Sequence, residues 1–95
     1  MPAYIIANMD VKDPETYQGY SAQTPGLVEK FGGKFIVRGG EFEQVEGDWK
    51  LARLVVLEFP DLSKAKAFYN SPEYQEALKI RQSAAESQVV IVDGV

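Results

Sequence analysis

The segments of this chain that alternate like β-strands are apolar on both of their faces, yet too few helical stretches are present to cover more than one side of a sheet. In Leu51–Phe59, one alternating set is Val55, Leu57 and Phe59 and the other is Leu54 and Val56. Neither set reads as solvated. The same holds in Ala3 to Met9, Lys34 to Val37 and Val89 to Val92. An antiparallel sheet with one wet face alternates apolar with polar residues, so a second copy of the chain is the economical cover for the extra face.

A length of 95 residues predicts a single domain over 1–95, small enough that dimerisation adds usefully to its buried area. Hydrophobic residues at 45% and charged residues at 25% are ordinary for a globular protein and argue against disorder, low-complexity sequence and membrane insertion. The net charge of -4, with Lys and Arg dispersed, argues against nucleic acid or an anionic membrane as partner. There are no cysteines and no histidines. Their absence removes Ser-His-Asp and Cys-His catalysis, haem on a proximal His, and nearly all zinc sites. No metal and no cofactor is expected, and any chemistry falls to Asp, Glu, Tyr, Lys and Arg. The first residues, Met-Pro-Ala-Tyr-Ile-Ile, enter a strand without a basic region or a signal-length apolar run, which reads as cytoplasmic.

The first strand runs from about Ala3 to Asp10, and Asp13 with Pro14 starts a helix as cap and first residue. Thr24-Pro25 kinks that helix or restarts it with Thr24 as a new cap, and Gly32-Gly33 ends it. Lys34 to Glu46 reads as a long strand with a bulge at Gly39-Gly40. Gly47-Asp48 turns it into the strand Leu51 to Phe59. Pro60-Asp61 opens a short helix, Ser71-Pro72 a second, and Gln88 to Asp93 is the last strand. In the second helix Tyr74, Ala77, Leu78, Arg81 and Ala85 share a stripe, which places Arg81 on the inward face or at its margin. The order is βαββαβ: an α+β, ferredoxin-like fold with a four-stranded antiparallel sheet.

The runs RGGEFEQVEGDW from Arg38 to Trp49, RLVVLEFP from Arg53 to Pro60 and YNSPEYQEALKIR from Tyr69 to Arg81 closely resemble the bacterial family catalogued as domain of unknown function 1330. The likeness extends from AYII at Ala3 to the VDG ending at Gly94. It implies a dimeric α/β barrel, in which two ferredoxin-like subunits pack their open sheet faces together. It implies no reaction and supplies no catalytic residues. Proteins of the same architecture include cofactor-independent quinone monooxygenases, muconolactone isomerases and haem-degrading monooxygenases, and sharing a fold does not transfer an activity. The haem-degrading reading fits worst, since the axial His is absent.

If the hairpin turns at Asp48, Arg38 faces Glu58 and Glu43 faces Arg53, two opposite-charge pairs in one register. Arg38 and Glu58 lie among apolar strand residues. They read either as a structural ion pair or as a site in which Arg38 grips an anionic ligand while Glu58 acts as a base or orients it. Asn8, Tyr20, Tyr69, Tyr74 and Arg81, with Tyr17, are candidates for lining a pocket between sheet and helices. Each tyrosine alone also reads as core or interface, Arg81 as a structural cap or ion-pair partner, and Trp49 as an interface anchor. The leading function is a homodimeric small-molecule-binding protein, with cofactor-free catalysis on a small anionic or aromatic metabolite as its extension. The alternatives are a non-catalytic dimeric interaction or stress-related module and a monooxygenase-like or isomerase-like enzyme.

Overall fold

The computed structural model of the chain describes residues 1–95. The elements follow as β1 (Ala3–Val11), α1 (Pro14–Ser21), α2 (Thr24–Lys30), β2 (Lys34–Arg38), β3 (Leu54–Phe59), α3 (Leu62–Asn70), α4 (Pro72–Ala84) and β4 (Ala85–Asp93). The strands form one antiparallel sheet in the order β2-β3-β1-β4, the ferredoxin-like arrangement. No helix is long and apolar enough to cross a membrane.

Helix starts follow from local chemistry. The Asp13 carboxylate accepts from the Thr16 N–H at 3.2 Å, Asp61 from Lys64 N–H at 2.8 Å, and the Ser71 hydroxyl oxygen from Tyr74 N–H at 3.1 Å. Between α1 and α2 the chain restarts, but Thr24 is the first helical residue and Gln23 stands at the cap position. The Thr24 hydroxyl donates instead to the Tyr20 carbonyl at 2.7 Å, back-bonding to the last turn of α1. Gly32, at φ +81°, closes α2.

All four helices pack on one side of the sheet. Ala3, Ile5, Ala7 and Met9 of β1 and Val55, Leu57 and Phe59 of β3 point into a core closed by Val28, Ala65, Phe68, Ala77 and Leu78. Phe68 is its hub, with ring contacts to Phe31, Phe59 and Tyr74. The alternate residues face away from the helices, and there Ile6, Val90 and Val92 remain exposed. The two apolar faces read from the strands are both real, and the helices cover one of them.

The hairpin departs from the sequence expectation. Strand β2 ends at Arg38 and β3 begins at Leu54, so Gly39 to Arg53 is a loop and not the continuation of two strands. Lys34, not Arg38, lies opposite Glu58, at 3.7 Å between charged atoms, and Arg38 lies opposite Val55. The bulge falls between Phe35 and Val37 instead of at Gly39-Gly40. Arg53 makes no ion pair with Glu43. Three features accompany this register, the last of them a contact between residues far apart in sequence. Lys34 satisfies Glu58; Gly39, at φ +71°, turns the chain out of the sheet; and Asn8 captures the returning strand. The Asn8 Oδ1 accepts from the N–H groups of Ala52 (2.8 Å) and Arg53 (3.3 Å), while its Nδ2 donates to the Lys50 carbonyl and to Gln88 Oε1.

Candidate functional site

The bulge in β2 has a consequence for chemistry. Phe35 faces the helices opposite Leu57, and three residues of regular strand would send Arg38 to the other face. The extra residue restores Arg38 to the helix side, where its guanidinium lies 4.3 Å from the centre of the Phe35 ring. Arg53 extends the inward alternation of Val55, Leu57 and Phe59, and its carbonyl is held by Met9 N–H at 2.9 Å. Its guanidinium lies flat against Gly39, where any β-carbon would collide with it. From the opposite wall, α4 presents Tyr74 and Arg81 on one face.

These residues enclose a cavity of about 60 Å³ between sheet and helices, with Ile5, Ala7, Met9, Val55 and Phe68 among its apolar walls. By the space one water needs, about four to six water-sized positions fit. Arg38, Arg53 and Arg81 are all the arginines in the chain, and all three line this one cavity. No Asp, Glu or Lys lines it. Every ion pair of the protein uses a lysine and none uses an arginine. The guanidiniums are graded by depth: Arg38 exposed at the rim, Arg53 partly buried, and Arg81 only 4% exposed.

Arg81 is the outlier of the fold. Its Nη1 donates to the Tyr74 hydroxyl at 3.4 Å and its charge lies 5.8 Å from the Tyr20 ring, but its Nε has no acceptor, and neither has that of Arg53. A guanidinium cannot shed its proton, so a buried one without an anion carries an unrelieved desolvation penalty of several kcal/mol. The Tyr20 and Tyr74 hydroxyls share a hydrogen bond of 2.8 Å, and Tyr17 donates to Met9 Sδ at 2.9 Å. Burial pushes the Tyr74 phenol far above its ordinary range, with the adjoining Tyr20 adding to the shift and Arg81 only partly offsetting it. Burial likewise raises Tyr17, against the opposing charges of Arg53 and Arg81. The Tyr17 and Tyr74 phenols therefore stay protonated at neutral pH and add no anionic acceptor to the cavity.

The candidates read from sequence divide between the two faces. Tyr20, Tyr74, Arg81 and Arg38 meet in the cavity. Asn8 does not: it sits on the open face and pins the Gly39–Arg53 loop. Glu58 also stands on the open face, paired with Lys34, so it cannot act as a base toward anything held by Arg38. Tyr69 is half-buried and packs 5.4 Å from the Tyr74 ring without reaching the cavity. Arg53 was readable in sequence as an inward residue, since it shares the parity of Val55, Leu57 and Phe59; pairing it with Glu43 hid that signal.

Among solved structures the chain is similar to a protein of unknown function from Rhodopseudomonas palustris, with TM-score 0.79 and 20% identity over 99% of this chain and 82% of that one. It is similar as well to a dimeric ferredoxin-like protein of unknown function from Jannaschia sp., with TM-score 0.74 and 16% identity over 99% and 100% of the two chains. A cofactor-independent oxygenase from Streptomyces nogalater gives TM-score 0.66 and 11% identity over 99% and 93%. At such identities the likeness establishes the fold, and the activities remain those proteins' own. No curated protein matches the sequence. The description Domain of unknown function (DUF1330) matches residues 2–95, and the chain belongs to that family.

Proposed function

We propose that this protein binds a small anionic metabolite in the cavity between its sheet and helices, and does so as a homodimer joined through the open sheet face. The observation that carries the reading is the gathering of all three arginines around one apolar cavity that contains no carboxylate. Arginine is the residue whose planar fork suits a carboxylate or oxyanion, and a buried, unpaired one is costly unless a ligand supplies the counter-charge. The dimer is supported by the exposed Ile6, Val90 and Val92 and by the dimeric relative from Jannaschia sp..

Native mass spectrometry of gently purified protein tests both parts. The expected species has twice the chain mass plus a small ligand that is lost on denaturation. A bare monomer, together with no thermal stabilisation by a panel of small carboxylates, would overturn the reading. A ligand at 100 times its dissociation constant adds about 2.7 kcal/mol, well within the reach of a thermal shift.

A second reading is favoured by the convergence of three guanidiniums on one apolar cavity. The ligand's acidic proton passes to solvent as it binds, the guanidiniums hold the resulting enolate or phenolate, and that electron-rich anion is itself the reductant of dioxygen, so no cofactor is needed. The name of the Streptomyces nogalater relative accords with such chemistry. Oxygen uptake in the presence of an enolisable ligand, lost in Arg81→Gln, is the result expected of it.

A further inference from the structure

We infer that the ligand's recognised end is a 2-oxo acid, an anion that carries acceptors on two adjacent carbons and no donor. This rests on the anion-binding reading above and narrows it. The argument is a count of protons. The Tyr20 and Tyr74 hydroxyls own two protons between them, and their mutual hydrogen bond uses one. Arg81 Nη1 gives a further proton to Tyr74, so the Tyr74 oxygen is already an acceptor. Whichever phenol donates within the pair, one O–H proton is left over beside a guanidinium whose Nε is also unclaimed. The inner end of the cavity thus offers a free phenolic proton and guanidinium protons side by side.

The acceptors there are all uncharged. The Met9 sulfur already receives the Tyr17 hydroxyl, and the Thr24 and Ser21 hydroxyls, which donate to the carbonyls of Tyr20 and Gln18, keep only neutral oxygen lone pairs to offer. A ligand that brings its own donor finds only neutral hydroxyl oxygens to accept it, and one that brings an ammonium meets three positive charges and no carboxylate. A carboxylate on Arg81 with a ketone on the next carbon places its second oxygen toward the spare phenolic proton. The small volume suits a short acid or the head of a longer one whose tail leaves past Arg38.

The test holds size constant and varies one group. Binding of 2-oxobutyrate, 2-hydroxybutyrate, butyrate and 2-aminobutyrate to the intact protein is measured by calorimetry at pH 7.5, with their phenyl-bearing three-carbon analogues as a second series. The 2-oxo acid is expected to bind at least about tenfold more tightly than the unsubstituted acid, the value of one well-placed hydrogen bond. The 2-hydroxy acid falls between them and the 2-amino acid gives no measurable binding. Equal binding of butyrate and 2-oxobutyrate, both abolished in Arg81→Gln, would overturn this inference while leaving the anion-binding reading intact. Binding of the 2-amino acid as tight as that of the 2-oxo acid would also overturn it. Failure of every acid in both series would overturn the inference and the anion-binding reading together.

Discussion

On the helix-covered face of the sheet the apolar residues are satisfied and two guanidiniums are not; on the open face charges pair and apolar residues are left uncovered. Ile5, Ala7, Val55 and Leu57 are closed into the core, while beside them the Nε of Arg53 and that of Arg81 lack acceptors. Across the same strands Lys34 answers Glu58, Lys12 answers Asp10 and Asn8 makes four hydrogen bonds, but Ile6, Val90 and Val92 stand exposed. A missing acceptor calls for an anion, and missing apolar cover calls for a protein surface. The two faces of one sheet therefore suit two different kinds of partner, each readable from the kind of group left over.

The largest effect should come from the satisfied part of the inner face. Phe68→Ala removes the ring that joins Phe31, Phe59 and Tyr74, and should cost about 3–5 kcal/mol in urea unfolding. A cost below about 1 kcal/mol would mean that the inner face is loosely packed and the contrast between the faces is false. Arg81→Met sharpens the contrast from the other side. Replacing an uncompensated buried charge with an apolar chain of similar length should stabilise the ligand-free protein, by about 1–4 kcal/mol, while abolishing anion binding. A loss of stability in this variant would show that Arg81 is held by interactions within the fold and needs no ligand.

How much of this was legible from sequence depends on whether the information was local. Asp13, Asp61 and Ser71 announced their helices because a cap needs only the next three residues. The two apolar faces were legible because alternation along one strand fixes them. The loop from Gly39 to Arg53 was not. Its exit turns on the left-handed Gly39 and its return on Asn8, a residue more than forty positions away, and no pattern within the segment shows that contact. The same non-locality scattered the candidate site. Tyr74 and Arg81 share a helix stripe and were placed inward together, whereas the facing of Arg38 turned on a single bulged residue that sequence does not reveal. Glu58 was assigned to Arg38 by a turn position, and the actual register gave it to Lys34.

The open face yields smaller effects. Val90→Lys, at an outward position of an edge strand that is 56% exposed, should leave the cavity and its ligand affinity intact and weaken self-association by at least about a hundredfold. Sedimentation over a concentration series reads it. An unchanged association constant would move the interface off this face, and a parallel loss of anion binding would show that the two faces are coupled.

The smallest change separates the two roles that Glu58 could have had. As the exposed partner of Lys34 it contributes at most about 1 kcal/mol, since a surface pair spends most of its attraction on solvent screening and side-chain ordering. Glu58→Gln keeps the shape of the side chain and removes only its charge. It should therefore move the urea midpoint by little or nothing and leave ligand affinity, and any turnover, unchanged. The sheet itself enforces this: Tyr4, Glu58 and Lys34 lie opposite one another along the open face, while the cavity is lined by the residues of alternate parity, Ile5, Leu57 and Phe35. A large loss of binding or activity in Glu58→Gln would mean that a ligand reaches the open face, and that the division of labour between the two faces is wrong at its root.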